Sequence, residues 1–192
     1  MSRSVLLALA LVVAAPQVVR AQEGGENVAE AEEAKKVAKQ YLDQVVKAAE
    51  GKKPKPADVS KKLTAVRKLI HPKTLELIAE QEKRKTVTVG VAVWHWAKND
   101  YWLKEYELKD VKPGVNGTYI VETAEKNWRV EEGGEDSEPE QSSYLIGKHK
   151  GKWYVVDKRR NGTFDKGAIK RGYKGYFDAE EKDEAAAPAP AE

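Results

Sequence analysis

The segment from residue 101 to residue 160 constrains the fold most, because it consists of successive predicted β-strands separated by Asn-Gly and Lys-Gly turns. In the first strand, Trp102, Tyr106 and Leu108 are predicted to share one face, and charged residues the other. A sheet with an apolar face needs another element to cover it. The apolar stripe of an N-terminal helix over residues 28–50 is the only predicted element long enough to do so.

Helical spacing of apolar residues marks the region before the strands. A first helix is predicted over residues 28–50, with Glu and Lys on its opposite face. A second helix is predicted to begin at Asp58 or Ser60 and to break at Pro72, because proline lacks a backbone donor. A short third helix follows, extending to about Gln81.

Residues 86–98 are compatible with two structures. Alternating valines favour a strand, whereas Val87, Val91 and Trp94 also fit one face of a helix. The predicted class is α+β, with the N-terminal helices packed on the apolar face of an antiparallel sheet.

The first 21 residues are predicted to be a secretory signal peptide. Arg3 precedes an apolar run over residues 5–15, and Val19–Ala21 is a cleavage motif before Gln22. The apolar run is too short to span a bilayer, although an uncleaved anchor is the alternative. We therefore expect an exported bacterial protein, periplasmic or secreted, with no transmembrane segment after processing.

The rest of the chain divides into three predicted parts. Residues 22–27 are a polar lead-in, residues 28–178 a single α+β domain, and residues 179–192 a disordered Ala/Pro-rich acidic tail. The chain contains no cysteine, which excludes disulfides, thiol nucleophiles and cysteine-ligated metals.

Charge is nearly balanced overall but uneven along the chain. Loss of the signal peptide reduces 34 basic side chains to 32, against 31 acidic ones, which gives no general argument for nucleic-acid binding. Residues 145–175 contain ten Lys or Arg and only two acids. The segments 131–140 and 178–184 on either side are acidic. The simplest interpretation is that these segments neutralise one another.

The order of elements, ending in the predicted strand "GKWYVVD" (residues 151–157), resembles the nuclear transport factor 2-like superfamily. The resemblance covers about residues 28–165. It implies an α+β cone, in which the N-terminal helices pack in the concave face of a curved antiparallel sheet. It also implies a pocket at the open end of the cone and a possible homodimer formed through the sheets. It also implies that the chain is either an enzyme of the ketosteroid isomerase or polyketide cyclase kind, or a non-catalytic binding module.

For an enzyme, the resemblance implies a tyrosine on the first helix and carboxylates on the cone wall. Tyr41 matches the tyrosine, and Asp110 or Asp157 are the candidate carboxylates. A phenol beside a buried carboxyl group can transfer protons. Tyr41 also fits the apolar stripe as a core residue, and both aspartates lie at strand ends.

Aromatic residues provide the ligand-binding candidates. Trp94, Trp96 and Trp128 are predicted either to line a pocket or to fill the core. His95 is predicted either to line a pocket with them or to lie on an exposed strand face. The three histidines do not have metal-ligand spacing, and no nucleotide-binding motif occurs, so we expect neither a metal nor a cofactor.

Basic residues provide the anion-binding candidates. Lys158, Arg159 and Arg160 adjoin the turn Asn161-Gly162, and Arg171 follows nearby. These cations are either a site for an anionic envelope surface or a solvated sheet edge.

From the sequence we predict a non-catalytic binding module for a small apolar molecule or a protein partner. The alternatives are an isomerase- or cyclase-like enzyme using Tyr41, and a binder of anionic envelope surfaces.

Overall fold

The computed structural model describes residues 18–48, 64–83, 101–129 and 138–177, and these residues form an α+β arrangement, as predicted. The helical elements are α1 (Val18–Ala48), a 3-10 helix (Val66–Leu69), α2 (Pro72–Lys83) and α3 (Lys166–Gly172). The strands are β1 (Tyr101–Pro113), β2 (Tyr119–Arg129), β3 (Glu140–His149) and β4 (Lys152–Arg160). The strands pair antiparallel in the order β1-β2-β3-β4.

Helix α1 covers one face of the sheet with the apolar stripe that the sequence predicts. Its core residues are Ala34, Val37, Ala38, Tyr41, Leu42, Val45 and Ala48. They pack against sheet residues Leu103, Tyr119, Val121, Tyr144, Ile146, Trp153 and Val155. The helix begins at Val18 rather than at Val28. The earlier start is understandable because adding residues to an existing helix costs much less free energy than nucleating a new helix.

Pro72 interrupts the helical region as predicted. Ile70 is extended and bridges Val155 of β4, and the His71 N–H donates to the Val155 carbonyl at 2.9 Å. Helix α2 then begins at Pro72 itself, where a missing backbone donor costs nothing. The predicted start of the preceding helix, at Asp58 or Ser60, lies outside the described residues.

The predicted turns are confirmed by backbone angles that few residues adopt. Asn116 and Gly117 have φ of 55° and 66° in the β1–β2 turn. Lys150 and Gly151 have φ of 50° and 73° in the two-residue β3–β4 turn. Two successive positive φ values give the turn a twist that matches the strands of a tight hairpin.

The sheet is covered on both faces, which the sequence did not predict. Opposite α1, the C-terminal segment folds back and forms a second apolar cluster. Its members are Ile120, Leu145, Val156, Phe164, Ile169, Tyr176 and Phe177. The short α3 is fixed at its start by Asp165, whose carboxylate accepts from the Ala168 N–H at 2.7 Å. The sheet is therefore the middle layer of the described part of the chain.

Candidate functional site

An irregularity in β4 decides which side chains face α1. Val155 pairs with Ile146, but Asp157 pairs with the adjacent Leu145, so β4 has one residue more than β3 at this point. Val155 belongs to the core beneath α1, and Val156 to the cluster on the opposite face. Such a bulge shifts the alternation of the residues that follow it. Lys158, opposite Tyr144, consequently lies on the α1 side.

The inward turn of Lys158 completes a buried polar cluster, which we call the Glu125 network: Tyr41, Thr123, Glu125, Tyr144 and Lys158. The side chains of Glu125 and Lys158 are only 1% and 5% exposed, and their charged atoms are 2.6 Å apart. The hydroxyls of Tyr144 and Thr123 both donate to Oε1 of Glu125, Thr123 at 3.2 Å. The Tyr41 and Tyr144 rings lie 5.9 Å apart.

Burial dominates the electrostatics of this network. It raises the pKa of Tyr41 and Tyr144 well above the ordinary tyrosine value, and the negative charge of Glu125 raises both further. Burial also lowers the pKa of Lys158, and Glu125 partly offsets this effect. Both phenols are therefore neutral at physiological pH, and the ion pair is the only charge separation within the network.

Glu125, rather than Asp110 or Asp157, is the carboxylate near Tyr41. Asp110 lies at a β1 irregularity with its side chain 53% exposed, 3.5 Å from Lys112. Asp157 lies on the opposite face of the sheet, where it accepts from the Tyr173 hydroxyl. The bulge turns Asp157 away, so the aspartate predictions are not supported by this geometry.

Alternation along β2 contained the signal for Glu125. Tyr119 and Val121 face α1, whereas Ile120 between them faces the opposite cluster. Thr123 and Glu125 are buried and continue the phase of Tyr119 and Val121. An acidic residue in phase with apolar residues is a candidate for burial with a partner.

A polar groove lies over β2 and β3, beside the turn that follows β4. Its cavity volume is about 500 Å³, within the range of small-molecule sites. It is lined by Lys109, Glu122, Thr123, Ala124, Gln141, Ser142, Ser143, Asn161, Gly162 and Thr163. We call this cavity the sheet groove.

The turn at residues 161–163 is fixed above the sheet and forms one wall of the groove. The Asn161 N–H donates to the Gln141 carbonyl at 2.7 Å, and the Ser143 hydroxyl donates to the Gly162 carbonyl at 2.8 Å. Asn161 has a φ of 51°, a value that Asn and Gly accept more readily than other residues. The wall is therefore formed before any ligand binds.

The four predicted anion-binding residues do not form one cluster. Lys158 is buried, and Arg160 donates two hydrogen bonds to Glu140, at 2.6 and 2.9 Å. Arg159 stacks over the Phe164 ring at 4.6 Å and donates to the Thr163 carbonyl at 3.1 Å. Arg171 is exposed on α3. Three of the four are thus engaged by the fold.

Most of the predicted aromatic ligand-binding residues lie outside the described residues. These are Trp94, His95 and Trp96, which belong to residues 86–98, the region compatible with either a strand or a helix. Trp128 lies in β2, and only its backbone is described. The ligand-binding predictions for these four residues therefore remain predictions.

Among the described residues, no group of three or more His, Asp or Glu side chains could hold a metal ion. None of the described helices combines the length and the apolar character needed to cross a membrane. No known family model, curated protein or solved structure matches the chain.

Proposed function

We propose that the protein is an exported, non-catalytic binding module that takes a small polar ligand in the sheet groove. The observation that carries the proposal is the groove itself, with its volume of about 500 Å³ and its preformed wall at residues 161–163. An α+β cone of the nuclear transport factor 2-like kind is compatible with the described elements and belongs to the proposal.

The lining of the groove indicates the chemistry of the ligand. Gln141 and Asn161 offer amide groups and Thr163 offers a hydroxyl. Lys109 and Glu122 also line the groove, but they are paired with Glu107 and Lys112. A few converging polar groups fix the orientation of a ligand in such a site. A ligand that combines hydrogen-bonding groups with apolar surface, such as a sugar, an amino acid or a dipeptide, therefore suits this groove.

The Glu125 network supports a structural role rather than catalysis. Oε1 of Glu125 accepts from two hydroxyls, and Oε2 accepts from the Lys158 ammonium. A general base needs an oxygen within reach of the substrate proton. Here both carboxylate oxygens already accept hydrogen bonds from neighbouring side chains.

The test is backbone NMR of the chain with added sugars, amino acids and dipeptides. We expect one class to shift the amide signals of Ala124, Gln141 and Asn161. Asn161→Gly keeps the turn, because glycine adopts positive φ, but removes the amide group. Loss of one neutral hydrogen bond should weaken binding by about threefold to tenfold.

Asn116→Gly is the matched control, since Asn116 has a similar φ of 55° in a turn that does not line the groove. It should leave binding unchanged. The proposal fails if none of the compounds shifts the groove amides, or if the two variants weaken binding equally.

A second candidate function is proton transfer, favoured by the placement of the Glu125 carboxylate in one buried network with Tyr41 and Tyr144. An isomerase-like enzyme would catalyse exchange of the protons next to a ketone carbonyl in D₂O. The wild type should then exceed Glu125→Gln in exchange rate. Equal rates in the two proteins would exclude this candidate.

A further inference from the structure

Lysines from α2, β3, the β3–β4 turn and β4 lie at the β3–β4 turn end of the sheet. We call Lys73, Lys148, Lys150 and Lys152 the basic hairpin end. Three of the ammonium groups lie over aromatic rings: Lys73 over Tyr176 at 5.2 Å, Lys148 over Trp153 at 5.5 Å and Lys152 over Tyr154 at 5.3 Å. Lys150 is exposed within the turn.

His71 holds the parts of this surface together. Its buried ring stacks on Tyr176 at 4.7 Å and contacts Tyr154 and His149 edge-on, at 5.7 and 4.9 Å. Nδ1 accepts from the Lys73 N–H at 3.2 Å, so the Nε2–H donates to the Tyr176 carbonyl at 3.0 Å. The C-terminal segment is thus fixed beside the lysines.

The described chain ends close to this surface. The Phe177 ring lies so close to Gly147 in β3 that a Cβ at this glycine would overlap it. Gly147 is three positions before Lys150, about 10 Å along the strand. The next residues are "DAEEKDE" (178–184), which carry five acids and one lysine. Four extended residues span up to about 14 Å, enough to reach the turn.

The basic residues at the opposite end of β4 are less suited to bind an acidic segment, because they are paired with acids of the fold. There Lys158 is paired with Glu125, and Arg160 with Glu140. At the basic hairpin end, Glu30 lies 3.5 Å from Lys148, and Asp157 and Glu76 are the acids whose charges reach Tyr176. Positive charge therefore exceeds negative charge there among the described residues.

We propose that residues 178–184 of this chain dock on the basic hairpin end and compete there with external polyanions. The contact is electrostatic and reversible, since exposed ion pairs are individually weak. Because the segment is tethered directly to Phe177, its local concentration is high even though each contact is weak. An external polyanion competes with the segment for the same lysines, and added salt weakens both contacts.

A spin label tests the contact in the full chain. The chain has no cysteine, so Ala185→Cys provides a single labelling site. At low salt the nitroxide should broaden the amide signals of residues 148–152 more than the same label does in a chain whose five acids at residues 178–184 are changed to amides. The difference should disappear at about 1 M salt, where the screening length is only about 3 Å. Equal broadening in the two labelled chains at low salt would overturn the proposal.

Binding to inorganic polyphosphate tests the competition. One variant neutralises the segment: Asp178→Asn, Glu180→Gln, Glu181→Gln, Asp183→Asn and Glu184→Gln. The matched control makes the same change in charge elsewhere: Glu131→Gln, Glu132→Gln, Glu135→Gln, Asp136→Asn and Glu138→Gln. The first variant should bind on the order of threefold to tenfold tighter than the control at low salt. Equal affinity of the two variants would contradict competition at the hairpin end.

Discussion

Lys158→Met should be one of the most destabilising single changes in the described part of the protein. The change keeps an unbranched side chain but removes the ammonium that lies 2.6 Å from Glu125. Because the Glu125 side chain is only 1% exposed, water cannot replace the lost partner. Removing one member of a buried ion pair typically lowers the free energy of unfolding by about 3–5 kcal/mol.

The loss should depend on pH in a defined direction. In the variant, the native state relieves the buried charge by protonating Glu125, whereas in the unfolded chain glutamate loses its proton above about pH 4.3. The native state then binds more protons than the unfolded state. The free energy of unfolding therefore falls as pH rises, by up to about 1.4 kcal/mol per unit.

Urea unfolding followed by circular dichroism between about pH 5 and pH 8 measures both effects. Lys39→Met is the control, because Lys39 pairs with Asp43 at the surface and should contribute at most about 1 kcal/mol. In the double variant Glu125→Gln/Lys158→Met, no buried charge remains, so most of the stability should return. A loss below about 1 kcal/mol with no pH dependence would show that the pair is not buried and would refute the reasoning.

Two further changes test other parts of the fold. Tyr41 stays neutral in the folded chain because burial raises its pKa, whereas tyrosine in the unfolded chain ionises near pH 10. Above that pH, the free energy of unfolding should therefore fall by up to about 1.4 kcal/mol per pH unit because of this residue. Urea unfolding between about pH 9 and pH 11 should show a shallower fall for Tyr41→Phe, and an unchanged slope would contradict the burial. Gly147→Ala should cost about 1–3 kcal/mol by overlap with Phe177. The double variant Gly147→Ala/Phe177→Leu should recover part of this loss, because the smaller side chain leaves room for the added Cβ. If thermal unfolding shows no recovery, the added Cβ does not overlap Phe177.

Local sequence signals were sufficient to predict the helix, the helix break and the turns, but not the packing of the C-terminal segment on the second face of the sheet. The α1 stripe, the break at Pro72 and the tight turns each depend on neighbouring residues, so the sequence predicted them correctly. The second apolar cluster joins Ile120 to Phe177, and its formation depends on the chain folding back over the sheet. Periodicity within one segment contains no information about such distant contacts.

The Glu125 network was missed because strict alternation fails inside β4. Alternation from Trp153 and Val155 predicts Asp157 inward and Lys158 outward, the reverse of what the structure shows. Both bulge residues find partners on the outer face, Val156 in the apolar cluster and Asp157 at Tyr173. Since those partners come from the C-terminal segment, the bulge is stabilised by tertiary contacts rather than by a local motif.

Deletion of Val156 tests whether the bulge alone determines the face of the sheet on which Lys158 lies. Without it, Val155 faces α1, Asp157 faces outward and Lys158 again faces inward, so the pair with Glu125 should survive. The cost should be limited to the burial of one valine, about 1.5–3 kcal/mol, and to the hydrogen bond from the Thr74 hydroxyl to the Val156 carbonyl. The Lys158→Met change should then destabilise the deletion variant as strongly as it does the wild type. If Lys158→Met becomes harmless after the deletion, Lys158 has turned outward, and a feature other than the bulge fixes its direction.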